Sequence, residues 1–296
     1  GFARGIGEAK MEMREGKVKC LSAAGFHHMA YVEWGDATNP RVLFCVHGLS
    51  RCSRDFDFLA QAMAADYRVV CPDVVGRGRS DWLRNKSLYA LPQYCADMTT
   101  LLAKLGAETV DWVGTSMGGL IGMVLASQPE TPIRRLVLND VGPVITAASL
   151  ERIGTYLGAA PRFDGIEQAE AFVRFVSASF GNFDDAQWRH LTVHVTRVAA
   201  DGKVEFAYDP GIAQAFREVQ AVSGGKDIEL WPAYDGIACP TLLLRGATSD
   251  LLTHEAALEM GLRGPRARLV EVPGVGHAPM LMDSGQVAPV REFLLA

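Results

Sequence analysis

Short, almost continuously apolar runs alternate along most of the chain with segments of helical periodicity. The runs cover residues 41–47, 67–73, 109–113, 134–140, 241–245 and 268–272. Strands that are apolar on both faces are typical of a parallel sheet with helices on either side. Two earlier runs, residues 18–21 and 29–34, are separated by Gly25 and predict an antiparallel hairpin. The sequence therefore predicts an α/β fold with a mostly parallel sheet.

The alternation stops between residues 145 and 231, where no buried strand is evident. Helical patterns rich in Phe, Trp and Tyr cover residues 150–157, 166–180, 185–195 and 211–222. The strand–helix rhythm returns after Pro232. We therefore predict a core of residues 1–145 and 232–296, with a helical insertion of residues 146–231 after the sixth strand. We call this insertion the cap.

Charge and hydropathy exclude several classes of partner. The net charge is -5 and no basic cluster occurs, so nucleic-acid binding is not expected. No apolar run approaches the roughly 20 residues that cross a bilayer, and no membrane association is expected. The first 14 residues lack the apolar segment of a secretory signal, and we expect the native sequence to begin near Met11 or Met13. The remaining prediction is a small-molecule substrate, with no signal for an oligomeric state.

The six cysteines do not form a metal-binding or disulfide pattern. None forms a C-x-x-C pair, and Cys45, Cys71 and Cys239 lie in or beside apolar runs. A buried free cysteine behaves as a small hydrophobic residue. We predict a reduced, cytoplasmic protein without a metal site.

The most specific motif is Gly-Thr-Ser-Met-Gly-Gly at residues 114–119, which follows the apolar run 109–113 and opens a helical segment. A strand, a tight turn and a helix are the context of a nucleophile elbow, in which the central serine is exposed above the sheet. Side chains at Gly114 or Gly118 would collide with neighbouring backbone. The motif predicts Ser116 as a catalytic nucleophile.

A serine hydroxyl needs a general base, and His277 is the best-placed histidine. It lies in Val-Gly-His-Ala-Pro (residues 275–279), a loop that follows the run 268–272. The base needs a carboxylate to orient it. We favour Asp250, which ends the loop after the run 241–245, because the acid is commonly found there in the chain order Ser–Asp–His. Asp140, at the end of the preceding run, is the alternative.

The negative oxygen that forms during acyl transfer requires an oxyanion hole of backbone N–H groups. One donor is predicted to be Met117, directly after the nucleophile, and the other Leu49, in the His-Gly-Leu-Ser loop at residues 47–50. His47 is predicted to brace this loop by hydrogen bonding rather than to act as a base.

Taken together, these motifs resemble the α/β-hydrolase superfamily. The resemblance rests on HGLS, PDVVGRGRSD (residues 72–81), GTSMGG, RG-x-x-SD (residues 245–250) and GVGHAP (residues 274–279). It covers residues 18–144 and 232–296 and implies an eight-stranded α/β-hydrolase sheet, a variable cap, a two-step acyl-enzyme mechanism and no cofactor. Dehalogenases and epoxide hydrolases of the superfamily carry Asp at the elbow, so Ser116 argues against both.

A serine nucleophile predicts hydrolysis of a carboxylic ester, lactone or thioester of a small, largely apolar substrate. Two alternatives stay open. A carbon–carbon bond hydrolase of ring-fission products usually has an aromatic residue after the histidine, where this chain has Ala278. A non-catalytic ligand-binding protein of the same fold could also keep these motifs.

Overall fold

The computed structural model of the protein describes residues 12–296. Of the two expected native starts, Met11 lies outside the described residues and Met13 lies within them. A single large sheet carries eight strands: β1 (Arg14–Ser22), β2 (Gly25–Trp34), β3 (Val42–Val46), β4 (Arg68–Pro72), β5 (Val110–Thr115), β6 (Ile133–Asn139), β7 (Thr241–Gly246) and β8 (Arg268–Val272).

The strands of this sheet lie in the order β1-β2-β4-β3-β5-β6-β7-β8. β2 pairs antiparallel with both β1 and β4, and all other neighbours are parallel. The predicted mostly parallel, eight-stranded sheet with an antiparallel hairpin at one edge is confirmed. Parallel pairing places the carboxyl ends of β3, β5, β6 and β7 at one edge, where ligands bind in open α/β sheets.

The described residues contain ten α-helices: α1 (Asp57–Met63), α2 (Leu91–Leu105), α3 (Met117–Ala126), α4 (Ala147–Tyr156), α5 (Ile166–Val176), α6 (Asp185–Val195), α7 (Ile212–Ser223), α8 (Trp231–Asp235), α9 (His254–Met260) and α10 (Ser284–Leu295). None of them combines the length and the apolar character that crossing a bilayer requires.

The two faces of the sheet have separate apolar cores, because successive strand residues point to opposite sides. Phe44 and Trp112 belong to one buried cluster, and Leu43 and Val113 belong to the other. All five residues of β3 are buried. This two-sided packing explains why the central strands are apolar without alternation, and it provides a rigid platform for the loops at the strand ends.

The region predicted to be the cap contains α4 to α7, as expected, but also short strands that the sequence analysis missed. Arg162–Phe163, Val204–Phe206 and Thr196–Val198 form a small antiparallel sheet. Ile228–Glu229 pairs with Val144–Ile145, so the two passages of the chain between core and cap lie side by side. Strands of two or three residues are too short to show a period in the sequence.

Candidate active site

Ser116 lies in the tight turn between β5 and α3. Its backbone has φ 52 and ψ −116, a strained conformation for a residue with a side chain. A Cβ atom at Gly114 or Gly118 would approach backbone atoms of Gly118 or Val46 to less than 3.0 Å, as the sequence predicted. The turn thus places the half-buried Ser116 at the carboxyl end of the sheet, at the amino end of α3.

His277 is held by the carboxylate of Asp140. The distance between His277 Nδ1 and Asp140 Oδ2 is 2.6 Å. Asp140 directly follows β6 and is fully buried, and its Oδ1 accepts a hydrogen bond of 2.7 Å from the Gly246 N–H. Ser249 Oγ donates to Oδ2 at 2.6 Å. A buried carboxylate with these donors can orient the imidazole ring and stabilise it when protonated.

The favoured partner of His277 in the sequence analysis, Asp250, is not at this position. Its side chain is 64% exposed, and its Oδ2 lies 3.2 Å from Arg152 Nη1. The loop after β7 does reach the Asp140–His277 pair, but through Gly246 and Ser249. The preference for Asp250 is therefore wrong, and Asp140 is the carboxylate that contacts His277. The turn of the loop after β7 directs the Ser249 side chain inward and leaves Asp250 in solvent.

Ser116 and His277 are brought to the same edge of the sheet by Asn139, the last residue of β6. The Asn139 side-chain amide donates to Thr115 Oγ1 at 3.0 Å and to the Pro279 carbonyl at 2.8 Å. The Ser116 N–H donates to the Asn139 carbonyl at 3.0 Å. Within residues 12–296, no hydrogen bond joins Ser116 Oγ to the His277 ring. In free enzymes such bonds are commonly long and tighten when substrate binds.

The two predicted oxyanion donors flank Ser116. Met117 is the first residue of α3, so its N–H has no acceptor within the helix. The loop of Gly48 and Leu49 packs against the elbow: a Cβ at Gly48 would lie 3.6 Å from Ser116 Cβ. Within the described residues, neither the Leu49 nor the Met117 N–H donates a hydrogen bond to the protein. Both amides therefore have no acceptor within the described residues.

His47 braces the loop of Gly48 and Leu49 by hydrogen bonding, as predicted. It is fully buried, its Nδ1 lies 2.7 Å from the Gly48 carbonyl, and its Nε2 accepts a bond of 2.9 Å from the Val74 N–H. This pattern requires a neutral ring with the proton on Nδ1. Burial, assisted by the nearby Arg77 and Arg51 cations, lowers the pKa of His47 to about 3.

The pKa of His47 predicts a loss of stability in mild acid. The unfolded chain takes up a proton near the ordinary value of 6.5, whereas the folded chain does not until about 3. The stabilisation that comes from keeping His47 neutral in the folded protein is complete above pH 6.5 and is lost as the pH falls towards 3. Between about pH 7.5 and 5.5 we expect wild type to lose about 1 kcal/mol more unfolding free energy than His47→Asn. Urea unfolding of both proteins at both pH values measures these free energies. If wild type and His47→Asn lose the same unfolding free energy, the argument is contradicted.

The cap contacts the loop that carries His277. Ser179 Oγ donates to the His277 carbonyl at 2.9 Å, and the Gly276 N–H donates to the Ser179 carbonyl at 2.7 Å. Met280 and Met282 pack with Trp188 of α6 in one apolar cluster. The position of the histidine loop therefore depends on residues from the cap.

Known proteins that are similar to this chain identify its family. A sequence profile described as the alpha/beta hydrolase family matches residues 42–290. The chain belongs to the α/β-hydrolase family. It is 50% identical over 285 residues to the 3-hydroxybutyrate-oligomer hydrolase of Cupriavidus necator, covering 95% of this chain and 97% of that protein. It is 37% identical over 254 residues to the sn-1-specific diacylglycerol lipase ABHD11 of Mus musculus, covering 82% and 76% of the two chains.

Solved structures of other hydrolases have the same fold as this chain. The crystal structure of a putative hydrolase from Rickettsia typhi superposes on this chain with a TM-score of 0.88 at 30% identity, covering 96% of this chain and 99% of that one. An alpha/beta hydrolase from Novosphingobium aromaticivorans gives a TM-score of 0.83 at 34% identity, with 96% and 98% coverage. The chain therefore shares its fold with these proteins over 96% of its length.

Two polar residues of this hydrolase site were not singled out from the sequence. Ser249 completes the hydrogen bonding of Asp140, and Asn139 links the elbow to the histidine loop. Their only sequence signal is that each precedes one of the two candidate acids. Arg51 and Arg54 also follow the oxyanion loop, but they pair with Asp55 and Asp57, so neither presents a free charge to a substrate.

Proposed function

We propose that this protein is a serine hydrolase of carboxylic esters, in which Ser116 is the nucleophile, His277 the general base and Asp140 the orienting acid. The observation that best supports this proposal is the 2.6 Å distance between His277 Nδ1 and Oδ2 of the buried Asp140. This pair lies at the edge of the sheet where Ser116 occupies a strained turn. The free N–H groups of Leu49 and Met117 form the oxyanion hole.

In the first half of the reaction, His277 removes the Ser116 proton as the oxygen attacks the ester carbonyl carbon. The resulting oxyanion is bound by the Leu49 and Met117 amides, and His277 then donates its proton to the leaving alcohol. In the second half, His277 activates a water molecule that hydrolyses the acyl-enzyme and frees the acid. Asp140 remains ionised throughout and stabilises the imidazolium.

We further propose that the substrates are oligomers of 3-hydroxybutyrate. The support is the 50% identity to a 3-hydroxybutyrate-oligomer hydrolase, which extends over 95% of this chain and therefore includes the cap. Cap residues shape the substrate pocket in this family, so similarity there bears on specificity as well as on chemistry. Such an oligomer is a chain of ester bonds between short apolar units, which suits a serine nucleophile under an aromatic-rich cap.

Oligomer preference can be tested by comparing the 3-hydroxybutyrate trimer with ethyl 3-hydroxybutyrate, a simple ester whose leaving group is also an alkyl alcohol, and with a lactone and a thioester. We expect kcat/KM for the trimer to exceed that for the simple ester by about tenfold or more, because burial of even one additional methylene group provides about 1–3 kcal/mol of discrimination. Acid released at constant pH gives the rates. If the simple ester is hydrolysed as fast as the trimer, the oligomer assignment fails while the hydrolase assignment stands.

A further inference from the structure

Arg77 is a fully buried cation without a carboxylate partner. It lies in the turn after β4, between Gly76 and Gly78, whose φ angles are 84 and 57. Its exposed fraction is 0%, and within residues 12–296 no carboxylate oxygen lies within ion-pair distance of its guanidinium. Burying an unpaired charge costs several kcal/mol, so packing alone is a poor reason to keep an arginine here.

The guanidinium binds only neutral groups. Nε donates to the Leu49 carbonyl at 2.7 Å, and Nη2 lies 3.5 Å from Met117 Sδ. Nη1 donates to the Val75 carbonyl and to Tyr94 Oη, both at 2.9 Å. Arg77 thus contacts both residues whose N–H groups make up the proposed oxyanion hole.

We propose that Arg77 is the positioning residue of the oxyanion hole, and that its charge finds its counter-ion only in the oxyanion of the transition state. This inference rests on the proposed serine-hydrolase function. The bond to the Leu49 carbonyl anchors the peptide that follows Leu49 and so restrains the backbone of the residue that carries the N–H donor. The contact with Met117 restrains the second donor residue.

The charge of Arg77 acts across a buried region, since the side chains of Arg77 and His47 are both 0% exposed. His47, in the same loop as Leu49, has a pKa lowered by its burial and further by Arg77, so the positive potential reaches this loop. In such surroundings a fixed positive charge stabilises a developing negative oxygen more than it would in water. A neutral substrate carbonyl gains much less from the same charge. The effect is therefore expected on kcat and not on KM.

The test uses Arg77→Met, whose side chain has a similar length but no charge and no hydrogen-bond donors. It also uses Arg77→Lys, compared with wild type at about pH 6 and at about pH 8, because a buried lysine carries the charge only while its amine stays protonated. With a chromogenic short-chain ester we expect Arg77→Met to lower kcat by about 10- to 100-fold at nearly constant KM, less than the loss of a direct oxyanion donor. Arg77→Lys should recover a large part of that loss. Affinity for a trifluoromethyl ketone, which forms an anionic adduct with the serine, should fall by the same factor as kcat.

Arg41→Met is the matched control. Arg41 Nη2 donates to the Leu294 carbonyl at 2.8 Å, and its guanidinium lies 4.7 Å from the Tyr67 ring centre. It therefore also binds a carbonyl and a tyrosine, but it precedes β3 at the end opposite the Leu49 loop. We expect Arg41→Met to leave kcat and ketone affinity unchanged, even if thermal unfolding shows a loss of stability.

The outcomes separate this inference from the proposed function. If wild type hydrolyses esters in a Ser116-dependent way but folded Arg77→Met keeps full kcat, the inference is overturned alone. It is equally overturned if KM rises at constant kcat, or if ketone affinity does not follow kcat.

If Arg77→Met does not fold, Arg77→Lys decides by the same parallel between kcat and ketone affinity. If Arg77→Lys is no better than Arg77→Met, the role of the charge is refuted. A wild type without Ser116-dependent hydrolysis refutes the proposed function instead.

Discussion

Replacing Ser116 with alanine is expected to lower kcat for a chromogenic short-chain ester by about a thousandfold or more. The substitution removes the nucleophilic oxygen, and the oxyanion hole and substrate binding supply only the residual rate. Alanine fits the strained elbow with less bulk than serine, and the backbone bonds of the turn stay in place, so the fold should be retained. Initial rates at saturating substrate and a thermal unfolding curve measure both effects.

Ser127→Ala provides the control for Ser116→Ala. Ser127 is the C-cap residue of the same helix, α3, and its Oγ donates to the Val124 carbonyl at 2.8 Å and accepts a long bond of 3.4 Å from Gln128 Nε2. Its removal should leave the rate unchanged. A fluorophosphonate probe should label wild type and Ser127→Ala but not Ser116→Ala, which also distinguishes an enzyme from a ligand-binding protein of the same fold. Full turnover by Ser116→Ala would remove this residue from the mechanism.

The second large effect is expected at Asp140. Asp140→Asn should lower kcat by about ten thousandfold, because an amide no longer fixes the histidine tautomer or stabilises the imidazolium. Asn is close in shape to Asp and can keep the bond from the Gly246 N–H to its carbonyl oxygen, so the protein should remain folded. The rates of both Asp140→Asn and Asp250→Asn need to be measured on the same ester.

Asp250→Asn is the matched variant, since it changes the exposed acid that the sequence favoured. The substitution removes only the surface ion pair between Asp250 and Arg152, which contributes at most about 1 kcal/mol to stability. We expect its kcat to remain close to that of wild type. The reverse pattern, with activity lost in Asp250→Asn and kept in Asp140→Asn, would falsify the assignment of Asp140.

The sequence alone predicted the elements that depend on local pattern. The parallel strands appear as continuous apolar runs because both faces of the sheet are covered, and β1 and β2 appear as a hairpin around Gly25. Helix starts are visible for the same local reason. Thr253, directly before α9, accepts a hydrogen bond from the Ala256 N–H, as threonine commonly does at a helix start. The elbow glycines 114 and 118 are fixed by close backbone approach, which any side chain would prevent.

The choice between the two acids was decided only by the tertiary structure. Asp140 and Asp250 both follow buried strands, and those strands, β6 and β7, are neighbours in the sheet. Their carboxyl ends meet at one edge, so pattern and chain order place both acids near the histidine. Which side chain turns inward depends on the backbone of each loop. At Asp140 that backbone has φ 56 and the side chain is buried, while Ser249 takes the inward position in the next loop.

What the sequence determined by itself is the sheet, the elbow with Ser116 and the loop with His277, because each is encoded by residues that are consecutive in the chain. What the tertiary structure decided is which distant groups meet: Asp140 with His277, Asn139 with Pro279, and Arg77 with Leu49 and Met117. These contacts join residues from different loops. Their formation depends on the packing of the whole sheet edge, which leaves no periodic signal in the sequence.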